Sequence, residues 1–139
     1  MALPPPAPDR TAVVTGASSG IGAAIARELA GRGHGVTLVA RSESKLAELA
    51  AELRGSGVRA EVLATDLTDR AARAGLLGRI TALELTPDIL VNNAGLSTLG
   101  PAAAADPEAE MAMIEPQGVF SFSRWVSPST TAMPRCAAT

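Results

Sequence analysis

"TGASSGIG", Thr15 to Gly22, follows directly on the β-branched, apolar run "RTAVV". Three glycines in eight residues, set between a strand pattern and a helix pattern, describe a loop built to hold a phosphate. A tight turn from a first strand into a first helix presents free backbone N–H groups, and the helix dipole adds partial positive charge at the same place. Gly16 permits the turn, Gly20 lets a pyrophosphate approach the backbone, and Gly22 allows close helix–strand packing. Ser18 and Ser19 add hydroxyl donors. The spacing separates this loop from other nucleotide loops. A P-loop requires G-x-x-x-x-G-K-[ST], but Ile21 and Gly22 follow Gly20. The G-x-G-x-x-G fingerprint fails because Ser18 stands where its second glycine would be. What remains is T-G-x-x-x-G-x-G, and from the glycines alone a turn without a ligand stays an open alternative.

Outward from the loop the chain alternates. Ile21, Ile25 and Leu29 recur at helical spacing, and "GRGHG", Gly31 to Gly35, ends that helix. Val36 to Ala40 reads as a second buried strand. Ser42 is placed to cap a second helix with Leu46, Leu49, Ala50 and Leu53 on one face and "GSG" as its stop. "RAEVLATDL" contains a third strand, expected to end near Asp66. Thr68 is expected to open a third helix on which Ala72, Leu76 and Ile80 share a face. "PDILVNNAG" supplies a fourth strand, Ile89 to Val91. This order predicts an α/β fold: a doubly wound parallel sheet with right-handed crossovers and helices on both faces. His34 is expected to be an exposed turn residue, Met111 and Met113 are read as packing, and Glu43, Glu48 and Glu52 as a solvated face.

The totals narrow the function. The 139 residues allow one domain at most, and a net charge of −2 provides no global positive field for nucleic acid or an anionic membrane. Cys136 is the only cysteine, so neither an internal disulfide nor a Cys-rich metal site is expected, which fits a cytoplasmic protein. No run of about 18 apolar residues offers a membrane span. Residues 1–9, with "PPPAP", read as a stiff, disordered lead.

Three motifs, "TGASSGIG", "DL" at Asp66–Leu67 and "NNAG" at Asn92 to Gly95, together resemble the short-chain dehydrogenase/reductase family in order and separation. The resemblance covers residues 10–115 and implies a Rossmann-like dinucleotide-binding half-domain, truncated after about four strands. It implies that Gly16, Ser18, Ser19 and Ile21 surround the cofactor pyrophosphate and adjoining ribose. Asp66 and Leu67 would sit beside the adenine, the carboxylate accepting from its exocyclic amine. Asn93, Ala94 and Gly95 would line the path to the nicotinamide ribose, while Asn92 is read as structural, stitching strands together. The end of the second strand selects the cofactor. An acid there would bind the ribose hydroxyls of NAD and repel a 2′-phosphate; here Ala40 is followed by Arg41, and a guanidinium matches phosphate. The choice is NADP(H) over NAD(H). The implied activity is hydride transfer between this cofactor and a carbonyl or alcohol.

The resemblance stops before the chemistry. Family members use a Tyr-x-x-x-Lys pair, in which the lysine lowers the tyrosine's pKa and the tyrosine moves the proton. This chain has no tyrosine, and its only lysine is Lys45, so no catalytic residue is assigned. "MIEPQGVF" stands where an Ile-acid-x-Asn pattern is expected. After Pro116 the composition changes: Phe120, Phe122, Trp125 and Cys136 all fall there, and no acid does. Two readings follow. Residues 116–139 are an atypical tail, out of frame, on a truncated and catalytically incompetent oxidoreductase; or the chain is a non-catalytic NADP(H)-binding or partner-binding module. With strand order 3-2-1-4, the strand Ile89 to Val91 would form an open edge, and self-association through it is the expected protein contact.

Overall fold

The computed structural model describes residues 2–95. The readings of Met111 and Met113, of the "MIEPQGVF" stretch and of residues 116–139 lie outside the described residues. Seven elements alternate: β1 (Arg10–Thr15), α1 (Gly20–Gly31), β2 (Val36–Ala40), α2 (Glu43–Gly55), β3 (Ala60–Ala64), α3 (Arg70–Ala82) and β4 (Thr86–Val91). The strands form one parallel sheet in the order β3-β2-β1-β4, so the doubly wound Rossmann-like arrangement holds.

The apolar runs are continuous rather than alternating because each central strand is covered on both faces. Ala12, Val14, Val36 and Leu38 pack with Ala26, Leu29, Leu46, Leu49 and Leu53 from α1 and α2. The intervening Val13, Val39 and Leu63 pack with Leu76 and Ile80 of α3. No helix among the described residues is long and apolar enough to cross a membrane.

Three element boundaries need correction. The third strand ends at Ala64 rather than near Asp66; Thr65 still donates its N–H to the Ala40 carbonyl, but its hydroxyl turns back onto the Leu63 carbonyl at 3.0 Å. Asp69, not Thr68, caps α3, its carboxylate accepting from the N–H groups of Ala71 and Ala72. Thr68 is held by Asp66 instead. The fourth strand starts earlier, at Thr86, and its pairing with β1 shifts between Thr11–Pro87 and Ala12–Ile89, which accommodates the proline beside one extra residue, Asp88.

His34 is buried, at 5% exposure, not exposed. The reason is the way α1 ends. Gly33 adopts φ +88 and donates to the Ala30 carbonyl, while His34 donates to the Leu29 carbonyl at 3.1 Å. This 6→1 and 5→2 pair closes the helix and folds the residue after the left-handed glycine back against the last turn. Ser42 does precede α2 as its cap residue, but its hydroxyl makes no capping hydrogen bond; it lies 3.4 Å from the Ser44 hydroxyl.

Candidate functional site

All four strands run the same way, so the loops leaving their carboxyl ends converge on one edge of the sheet. There they enclose an open cleft of about 720 Å³. Its walls come from the β1–α1 loop, the end of β2, the β3–α3 loop and the chain leaving β4. It lies where the strand order reverses, with β2 on one side of β1 and β4 on the other, the position at which open α/β sheets bind ligands.

The glycine loop forms the floor. Gly16 and Gly20 hold φ +67 and +58, values that only glycine adopts at little cost. The Gly16 N–H donates to the Val39 carbonyl at 2.8 Å, tying the loop to β2. Ser19 is the cap residue of α1, its hydroxyl makes no capping bond, and no acid lies in the first turn. Its own first turn therefore offers no counter-charge to the positive end of the α1 dipole. Gly16, Ser18 and Ser19 line the cleft. Gly20 and Gly22 do not form its wall: Gly20 holds the turn and Gly22 is buried beneath it. Ile21 is 71% exposed at the start of α1, an apolar side chain left beside the loop.

The loop is joined to β4 through Thr15. Its buried hydroxyl accepts from the N–H groups of Asn93 and Ala94, both at 3.0 Å, and donates to the Val91 carbonyl at 3.2 Å. One donor and two acceptor sites are thereby all used. Asn93 completes the joint, its Nδ2 donating to the carbonyls of Thr15 at 3.3 Å and Gly16 at 3.4 Å. The stitching role read for Asn92 thus falls mainly on its neighbour; Asn92 is exposed, and its Oδ1 is 3.5 Å from the Thr15 hydroxyl. Asn93, Ala94 and Gly95 all reach the cleft. Thr15→Val keeps the shape but removes the acceptor from two N–H groups. Stability is expected to fall by about 1–3 kcal/mol, read as a drop in melting temperature, whereas an unchanged melt would show that the joint carries little.

Arg41 and Asp66 stand on the other wall, with Leu67. Asp66 is held below the usual carboxylate range, first by the Thr68 hydroxyl at 2.7 Å, then by the Thr68 N–H at 3.0 Å, and least by the nearby Arg41 charge. Both hydrogen bonds land on Oδ1. Asp66 is therefore a turn aspartate and a cleft residue at once, ionised and acceptor-only at neutral pH. Sequence reasoning missed Ser42, Lys45, Thr65 and Thr68, which also line the cleft. For Lys45 the available signal was its place in the first turn of α2, four residues after Arg41, which puts a second cation on the same wall.

The sequence model of the family described as short chain dehydrogenase matches residues 10–134. The match runs past Glu115, where the motif resemblance ends. A short chain dehydrogenase of Pseudocercospora fijiensis is 43% identical over 93 residues, which are 66% of this chain and 30% of the relative. Among solved structures, a metagenomic short-chain oxidoreductase in complex with NADP superposes with a TM-score of 0.70 at 42% identity, over 76% of this chain and 48% of the other. A short-chain dehydrogenase from Sphingobium yanoikuyae in complex with NADPH gives a TM-score of 0.70 at 39% identity, over 84% of this chain and 45% of the other. The chain thus spans less than half the length of these relatives.

Proposed function

The chain belongs to the short-chain dehydrogenase family, and from that premise we propose that its cleft binds NADP(H) in preference to NAD(H). The residues fit such a group. A Cβ at Gly22 would meet the Gly16 carbonyl and lie 2.6 Å from Asn93 Nδ2, so the loop keeps its open cradle only with glycine there. Gly16, Ser18 and Ser19 offer N–H and hydroxyl donors to the pyrophosphate at the positive end of α1, with Ile21 against the adjoining ribose. Asp66 accepts from the adenine amine, Leu67 packs beside the base, and Asn93, Ala94 and Gly95 guide the nicotinamide half. When bound, the cofactor supplies or takes a hydride.

One observation carries the choice of cofactor: Arg41 and Lys45 line the wall at the end of β2, and Ala40 stands there instead of an acid. Two cations suit a 2′-phosphate, with which they make charge-assisted hydrogen bonds, better than the neutral ribose hydroxyls. The NADP and NADPH bound in the two similar structures support the same reading. Arg41→Asp exchanges the attraction for repulsion. NADPH affinity is expected to fall roughly 10- to 100-fold, as loss of a charged hydrogen-bond partner implies, while NADH affinity holds or rises. Equal losses for both nucleotides in a calorimetric titration would refute the assignment of Arg41.

The reaction we assign by membership is hydride transfer at a carbonyl or alcohol, with this chain supplying the cofactor-binding half.

A further inference from the structure

Beyond Thr65, whose N–H still bonds the Ala40 carbonyl, the chain leaves the β-sheet ladder, and the Leu67 carbonyl needs a donor from elsewhere. Helix α3 reaches this segment through two arginines. Arg73, buried at 8% exposure, donates from Nη1 to the Leu67 carbonyl at 2.6 Å. Arg79, six residues further on and exposed, donates from Nη1 to the Thr65 hydroxyl at 2.9 Å and to the Ala64 carbonyl at 3.3 Å. Asp66 lies between these two pinned segments, with its own carboxylate turned onto Thr68.

Arg73 shares the buried face of α3 with Leu76 and Ile80. Burying a guanidinium is costly unless its donors are used, and an aliphatic side chain at this position would pack without that cost. What the arginine adds is a charged donor aimed at one carbonyl of the cleft wall. We propose that Arg73 and Arg79 are positioning residues, a two-point clamp that fixes Asp66 and Leu67 against the adenine and so sets the base selectivity of the cofactor site. The proposal rests on the reading that the adenine of NADP(H) lies at this wall. Neither arginine touches the nucleotide; both act through the loop.

The test compares NADPH with its hypoxanthine analogue, which replaces the exocyclic amine by a carbonyl oxygen that an ionised carboxylate repels. The unmodified 139-residue chain is expected to bind the analogue on the order of tenfold more weakly. Arg73→Met is expected to reduce that preference to about twofold or less, and Arg73→Lys, which keeps a charged donor, to restore part of it. Arg79→Met, at an exposed position, should reduce the preference in the same direction and carries the test if Arg73→Met does not fold. A merely structural arginine would weaken both nucleotides equally and leave their ratio unchanged. If the unmodified chain binds no NADPH, the cofactor reading falls and takes the clamp with it. If it binds NADPH but shows no base preference, or keeps its preference in the folded variants, the clamp alone is overturned.

Discussion

Purified free of host reductases, the 139-residue chain is expected to oxidise NADPH against ketones and aldehydes at least about 10²-fold more slowly than relatives carrying Tyr-x-x-x-Lys, since positioned acid–base catalysis contributes typically 10²–10⁴-fold. Reduction of a carbonyl requires a proton at the oxygen as the hydride arrives. The residue that supplies it in the family does not occur anywhere in this sequence. The available substitutes are poorly placed or poorly matched. His34 is buried in the turn before β2, at the opposite edge of the sheet from the cleft. Arg41 and Lys45 line the cleft, but arginine stays protonated throughout the working range, and both stand where the proposed reading puts the adenosine half. Ser97, Ser121 and Ser123 lie outside the described residues, and an unassisted hydroxyl is a weak proton donor near neutral pH. Turnover that persists through purification and disappears with Gly22→Val would show that another donor operates.

Gly22→Ala is expected to lower stability and remove nucleotide binding together. A Cβ there would run into the Gly16 carbonyl, with the Gly16 carbonyl carbon at 2.8 Å and Asn93 Nδ2 at 2.6 Å. Two of the three obstacles are backbone atoms of the glycine loop, so relief requires moving the loop itself. Overpacking of this kind typically costs about 1–3 kcal/mol, equivalent to roughly 4–8 °C in melting temperature per kcal/mol for a domain of this size. Valine should do more than alanine. Gly75→Ala is the control: among the described residues nothing lies within 4 Å of an added Cβ, and its backbone is helical. That change should stabilise by up to about 1 kcal/mol. A Gly22→Ala chain with unchanged melting and unchanged NADPH affinity would mean that the cradle is looser than its geometry implies.

The parts of the fold legible in the sequence are those fixed by period and by glycine. Val36 to Ala40 could be read residue for residue because an apolar run buried on both faces, closed by Gly35 and Arg41, leaves little choice of boundary. The cleft could be located because parallel topology brings every strand's carboxyl end to one edge. What escaped depends on which of several competent side chains makes a bond. Thr68 and Asp69 are both good helix caps; Asp69 takes the role because the Thr68 hydroxyl and N–H are already held by Asp66. Asn92 and Asn93 carry the same amide, and only the direction of the chain leaving β4 decides which one bridges the Thr15 and Gly16 carbonyls. His34 is polar and follows a glycine, yet the left-handed Gly33 folds it inward. Nothing in the sequence marks Arg73 and Arg79, because a helix pattern does not say which loop carbonyls lie within reach.

Cofactor choice turns on the 2′-phosphate. Titrating the unmodified chain with NADPH and with NADH under the same low-salt conditions tests it most directly. Arg41 and Lys45 beside an acid-free strand end predict NADPH binding tighter by roughly tenfold or more, the equivalent of one charge-assisted contact, and a preference that shrinks as salt screens those exposed cations. NADH binding as tight as or tighter than NADPH would contradict it.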